Sequence, residues 1–231
     1  MACNKPPITT ADGLAIVRGD LLEGGTKKLA LLDYLPKHKH RHFAYAGTVF
    51  GSGGWALAEA CAELGYTSTL FIAKNDLKPH WLERIAALGA TLVWCDPKPV
   101  DQIYHDIAVR YPHLDNLPLG YDDPNFIASL AQVIKSTLKD HTVSDLWLPA
   151  LSGVLARAAE LALPQAHIHA VRAVKHPGDC GEATLYYAPE KFHHPAKEPP
   201  PYPSCPYSDA KVWQFVHAQK KAGAHIWNTS L

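Results

Sequence analysis

The sequence predicts an α/β fold built of layered, largely parallel sheets. Three observations carry this. Short apolar runs alternate with segments whose apolar residues recur at helical spacing. Several of those helical segments end on a glycine, a common C-terminal stop. The chain, at 231 residues and 47% hydrophobic, is long enough to bury a substantial core.

The elements follow in order. "HFAYAGTVF" (42–50) reads as a buried strand, and Leu57, Cys61 and Leu64 then mark a helix ending near Gly65. "STLFIA" (68–73) is the next strand. Leu77, Trp81, Ile85 and Leu88 form a helical stripe stopped by Gly89. "ATLVWC" (90–95) is a strand and 100–111 a helix; 111–125 is a loop rich in turn formers. Phe126, Leu130, Val133, Ile134 and Leu138 give another helix. "DLWLPA" (145–150), a helix over 153–163 and "AHIHAVRAV" (166–174) repeat the alternation. A proline-dense stretch (193–209) reads as an extended connection, because proline fixes φ and lacks a donor. A helix over Lys211–Lys221 and the strand "AHIWN" return the chain to a sheet.

Composition narrows the function. Formal net charge is zero, so a nucleic-acid partner needs a local patch. "KHKHRH" (37–42) is the densest such cluster, read first as a solvated turn and second as a phosphate contact. Five cysteines with no C-x-x-C spacing argue against a disulfide framework or structural zinc, and no H-E-x-x-H is present, so no metal site is expected. Reduced thiols, with neither a signal-peptide core nor a membrane-length apolar run in the sequence, give a cytoplasmic protein as the expectation.

Three glycine-containing junctions are candidates for chemistry: "EGGTKK" (23–28), "FGSGGWALAEA" (50–60) and "LPALSGVLARA" (148–158). Parallel sheets bind ligands where strands run into helices, and free N–H groups at a helix start suit an anion. None is a Walker A loop or a G-x-G-x-x-G turn.

The order of these stretches resembles pyridoxal-phosphate (PLP) enzymes of fold type II, the tryptophan synthase β-like group. The D-cysteine desulfhydrase and aminocyclopropane-carboxylate deaminase branch is the most similar. Its R-x-D…G-G-N-K motif stands here as Arg18, Asp20, Gly24, Gly25, Thr26 and Lys27. The resemblance makes Lys27 the Schiff-base lysine. Two residues of the branch are missing before its K-L pair, which leaves Lys28 as the alternative. "FGSGGWALA" is similar to the loop that cradles the substrate carboxylate and covers the cofactor, implicating Ser52, Gly53 and Gly54, with Ser52 in place of asparagine. "LSGVLA" is similar to the phosphate-gripping loop, through Ser152, Gly153 and Val154; Leu151 replaces a glycine and Val154 a threonine. In the tail, Asp209 matches the residue beside the pyridine nitrogen, Tyr207 or Ser208 a catalytic hydroxyl, and Thr229 the terminal threonine. Family members are longer by roughly a third. The "PPYPSC…DAKVW" tail resembles short chains of bacteriophage genomes.

With the resemblance come further expectations. Residues 1–41 and 141–231 form a larger cofactor-binding subdomain, and 42–140 a smaller inserted one. The function is a PLP-dependent lyase or deaminase acting on a small amino acid, as a homodimer. One alternative is DNA hypermodification, with PLP acting on an amino-acid adduct of a nucleobase. Another is a degenerate binding protein, motivated by Leu151 and Ser52. Some assignments have plain competitors: Asp209 as a helix N-cap, Tyr207 as packing on the proline run, and Arg157, Arg172 and Lys175 as salt-bridge partners rather than anion binders.

Overall fold

The computed structural model describes residues 5–77, 79, 81–174, 178–219 and 223–231. The chain opens on a hairpin, β1 (Ile8–Ala11) and β2 (Leu14–Arg18). Its two-residue turn, Asp12–Gly13, has φ values of 48° and 77°, the positive pair that matches the twist of a tight hairpin. Then come α1 (Gly25–Tyr34), β3 (His42–Gly47), α2 (Gly53–Leu64), β4 (Thr67–Ala73), α3 (Trp81–Ala87), β5 (Thr91–Cys95) and α4 (Val100–Arg110). The short β6 (Asp115–Asn116) and α5 (Pro124–Leu138) follow. The chain continues through β7 (Asp145–Ala150), α6 (Val154–Ala162), β8 (His167–Arg172), β9 (Thr184–Tyr187), α7 (Ala210–Gln219) and β10 (His225–Asn228).

Two sheets result. One has the order β1-β2-β10-β7-β8-β9 and draws its strands from both ends of the chain; the other, β5-β4-β3-β6, uses only the middle. Among the described strands, every pairing is parallel except β1 with β2. The central strands are covered on both faces: all four residues of β10 and the last five of β7 are buried. One apolar core spans both sheets. It joins Phe43 and Leu70 of the second sheet to Leu146 and Leu148 of the first, through Leu31 of α1, Leu57 of α2 and Phe126, Leu130 and Ile134 of α5.

The expected strands and helices are present, with changes at their ends. The strand from 42 stops at Gly47, and the helical stripe from Leu77 forms helix only from Trp81, just past Pro79. Residues 78 and 80, and residues 220–222 with the expected end of the last helix, lie outside the described residues. The loop over 111–125 contains the two-residue β6. The β1–β2 hairpin, β9 and the helical state of the aliphatic run after Lys27 are additions to the sequence reading. No helix among the described residues is long and apolar enough to cross a membrane.

Candidate active site

The site is assembled where β3, β7 and β10 end. Lys27 comes first. Gly24 and Gly25 open α1 at φ values of 81° and 67°. A Cβ on Gly25 would stand 2.6 Å from the Thr229 carbonyl oxygen, so only glycine lets the helix start this close to the end of β10. Two hydrogen bonds hold the contact: Thr26 N–H donates to Thr229 O at 3.0 Å, and the Trp227 indole donates to Thr26 Oγ1 at 3.0 Å. Arg18 and Asp20, matched at the sequence level, form a buried fork-to-fork pair at 2.8 and 2.6 Å. Asn228 donates to Asp20 at 2.7 Å, so this pair ties β2 to β10 just ahead of the lysine. Lys27 therefore projects from a clamped helix start into a cavity of about 520 Å³. Burial lowers its pKa to about 8, with the Asp209 charge pulling the other way. Lys28 turns away and pairs with Glu63 at 2.8 Å.

Asp209 lines the same cavity and is almost wholly buried. Its Oδ1 accepts from Thr229 N–H at 2.5 Å and Thr229 Oγ1 at 2.6 Å; its Oδ2 accepts from Ser208 Oγ at 2.6 Å. Burial raises its pKa, and these donors counter the rise. The side chain is thus directed at Ser208 and Thr229, both of which also line the cavity. Tyr207 does not line it; its ring packs edge-on against Phe50, 5.2 Å between centroids.

Two helix starts open on the cavity. Ser52, Gly53 and Gly54 begin α2, and Ser152 and Gly153 lead into α6; all five line the cavity. Neither start has a side-chain cap. The first-turn N–H groups of each helix lack intrahelical partners and sit at the positive end of its dipole. Ser230 Oγ donates to Ser52 Oγ at 3.1 Å, which links the first start to the segment after β10. The second is held by backbone. Gly153 has φ 80°, and a Cβ there would fall 1.8 Å from Asp179 O. Val154 is buried as the first residue of α6 and is not among the residues lining the cavity; Leu151 is.

Sequence reasoning missed the ring beneath Lys27. Tyr121, fully buried at φ 63°, lies under Lys27, with Nζ 5.5 Å from its ring centroid. It stacks on Tyr45 at 4.7 Å and donates from its hydroxyl to Gly53 O at 2.7 Å. Burial pushes the Tyr45 phenol up to about 12, so both rings stay neutral at physiological pH. Cys205, Phe192, Gly120 and Gly178 complete the wall. None carried a local sequence signal: a non-glycine residue at positive φ is invisible to pattern, and the others arrive by tertiary contact.

Other candidates lie elsewhere. Arg157 pairs with Asp122 at 2.6 Å and Arg172 donates to the Tyr187 hydroxyl at 2.9 Å; Lys175 is outside the described residues. In the 37–42 cluster, Lys37 pairs with Asp33 at 2.6 Å and His38 with Asp115 at 2.7 Å. Arg41 donates to the His40 carbonyl at 2.9 Å and lies over the Tyr66 ring.

The chain has the α/β architecture of PLP enzymes of fold type II. The comparisons give the particulars. No family model and no curated protein matches the sequence. Solved structures do. An ACC deaminase homologue is similar at TM-score 0.76 and 13% identity, over 98% of this chain and 89% of that one. Apo diaminopropionate ammonia lyase of Escherichia coli is similar at TM-score 0.68 and 15% identity, over 100% and 84%. A pyridoxal 5'-phosphate-dependent aspartate racemase is similar at TM-score 0.58 and 16% identity, over 72% of this chain and 56% of that one. At these identities the likeness establishes the fold.

Proposed function

We propose that this chain is a PLP-dependent lyase or deaminase acting on a small amino acid. One observation carries the reading: the Lys27 amine shares a single cavity with the Asp209 carboxylate and two uncapped helix starts. The residues fit the cofactor. An amine with a pKa near 8 is neutral often enough to attack an aldehyde. The Ser152–Gly153 bend offers backbone N–H groups to a phosphate, with no side-chain oxygen competing for them. Asp209, an acceptor in a buried setting, suits a protonated ring nitrogen. Bound PLP supplies an electron sink for charge that develops at a substrate's α-carbon.

This chain's own groups do the rest. The other helix start, at Ser52–Gly54, binds the substrate carboxylate through its free N–H groups. Tyr121 packs its ring beneath Lys27 and steadies the start of α2 through the Gly53 carbonyl. Lys27 Nζ moves the proton at the substrate α-carbon, and its lowered pKa suits it to act as base and as acid near neutral pH. Ser208, hydrogen-bonded to Asp209, is the hydroxyl of the Tyr207/Ser208 pair that faces the cavity.

The test is direct. Purified protein incubated with PLP should gain a visible absorption band that borohydride bleaches. Peptide mapping should then find the added mass on Lys27. Protein that stays colourless, or carries the mass on another lysine, refutes the assignment. Ammonia release across a panel of amino acids identifies the substrate.

A further inference from the structure

At the opposite end of the larger sheet, three metal-ligating side chains share one face. In the parallel pairing of β7 with β8, Asp145 stands opposite His167, and Trp147 opposite His169. Neighbours in register, and residues two apart in a strand, project to the same side. Asp145, His167 and His169 each bring one ligand atom to within 4.8 Å of the others. We infer that these three residues bind a divalent d-block cation, with zinc the best fit to two imidazoles and a carboxylate.

The surroundings favour a built site. His169 is 4% exposed; its Nε2 is 2.9 Å from Asp145 Oδ1, and its Nδ1 is 3.2 Å from the Tyr186 hydroxyl. Its ring stacks on Trp147 with 4.2 Å between centroids. Asp145 Oδ2 accepts from Ser144 Oγ at 2.8 Å. Both inner ligands thus have an outer partner that fixes their orientation, the arrangement found around metal-bound histidines. His167 is exposed and edge-on to His169, 5.9 Å away, so the site is open on that side for ion entry and for water as a fourth ligand. An Asp145–His169 ion pair alone would make no use of His167. The site lies at the amino ends of β7 and β8, whereas the PLP cavity lies beyond their carboxyl ends, so the two are independent.

The experiment titrates chelator-treated full-length protein with zinc chloride by calorimetry. Wild type should take up one equivalent. His167→Ala, a change at an exposed position, should lower the affinity about 100-fold, and Tyr186→Phe, which removes only the outer partner, about tenfold. Asp145→Asn should also weaken binding; circular dichroism checks that each variant is folded. His141, whose ring is 5.7 Å from His225 nearby, is the control, and His141→Ala should bind like wild type. Less than one equivalent on wild type, unchanged affinity in His167→Ala, or a loss confined to His141→Ala overturns the inference.

Discussion

Lys27 Nζ stands 5.5 Å from the centre of the Tyr121 ring, and Tyr121 itself occupies the left-handed region at φ 63°. A bulky residue there carries about 1–3 kcal/mol of strain, which the surrounding contacts must offset. Here they are the stack on Tyr45, the hydroxyl bond to Gly53 O and complete burial. The ring couples the lysine to the start of α2, two segments distant in sequence.

That coupling is measurable. Tyr121→Phe keeps the ring but removes the bond to Gly53 O, and should lower stability by about 1 kcal/mol in urea denaturation. PLP uptake should persist in this variant, since the π face remains.

The two lysines after the twin glycines should separate cleanly. Lys27→Ala should abolish the visible PLP band and Lys28→Ala should retain it, because Lys28 is committed to Glu63 on another side of α1. A band lost in Lys28→Ala but kept in Lys27→Ala would reverse the assignment.

A pH profile tests the environment of Lys27. Its pKa in the fold, about 8, lies below the ordinary 10.5, so desolvation disfavours the ammonium form. The resulting cost to stability is fully present below about 8 and disappears as pH rises through 10.5. The rate of PLP uptake should therefore rise with pH to a half-maximum near 8. Lys27→Met should stabilise the cofactor-free protein in neutral buffer and lose that advantage in strong alkali, as thermal melts would show. Asp209 raises the lysine pKa, so Asp209→Asn should move the half-maximum to lower pH.

Asp209→Ala is a harsher change. It strands the Thr229 N–H and two hydroxyls that now donate to the carboxylate. Chemical denaturation should report a loss of about 1–3 kcal/mol. Asn keeps one acceptor and should lose less.

Gly153→Ala probes the bend proposed to hold the phosphate. A Cβ would strike Asp179 O at 1.8 Å, and φ 80° disfavours any side chain. Stability should fall by at least about 1–3 kcal/mol. Inorganic phosphate should raise the melting temperature of wild type and leave the variant unmoved; equal stabilisation of both would place the anion site elsewhere.

Much of this was legible in the chain itself. Alternating apolar periods predicted the parallel α/β layers, since strands covered on both faces must be apolar throughout. Lys27, the Ser52–Gly54 and Ser152–Gly153 turns and Asp209 could be named from the chain and line one cavity, with Gly24 and Gly25 at the helix start that carries Lys27, because a tight bend needs glycine wherever it lies. Tertiary structure alone decided the rest. It turned Lys27 rather than Lys28 into the cavity, since the helix phase is set where Gly25 and Thr26 meet Thr229, about 200 residues downstream. It chose Ser208 over Tyr207 as the residue facing inward, and brought Tyr121 beneath the amine. Local pattern records which residues can bend, charge or bury; which of them meet depends on long-range packing, and that exists only once the two sheets share a core.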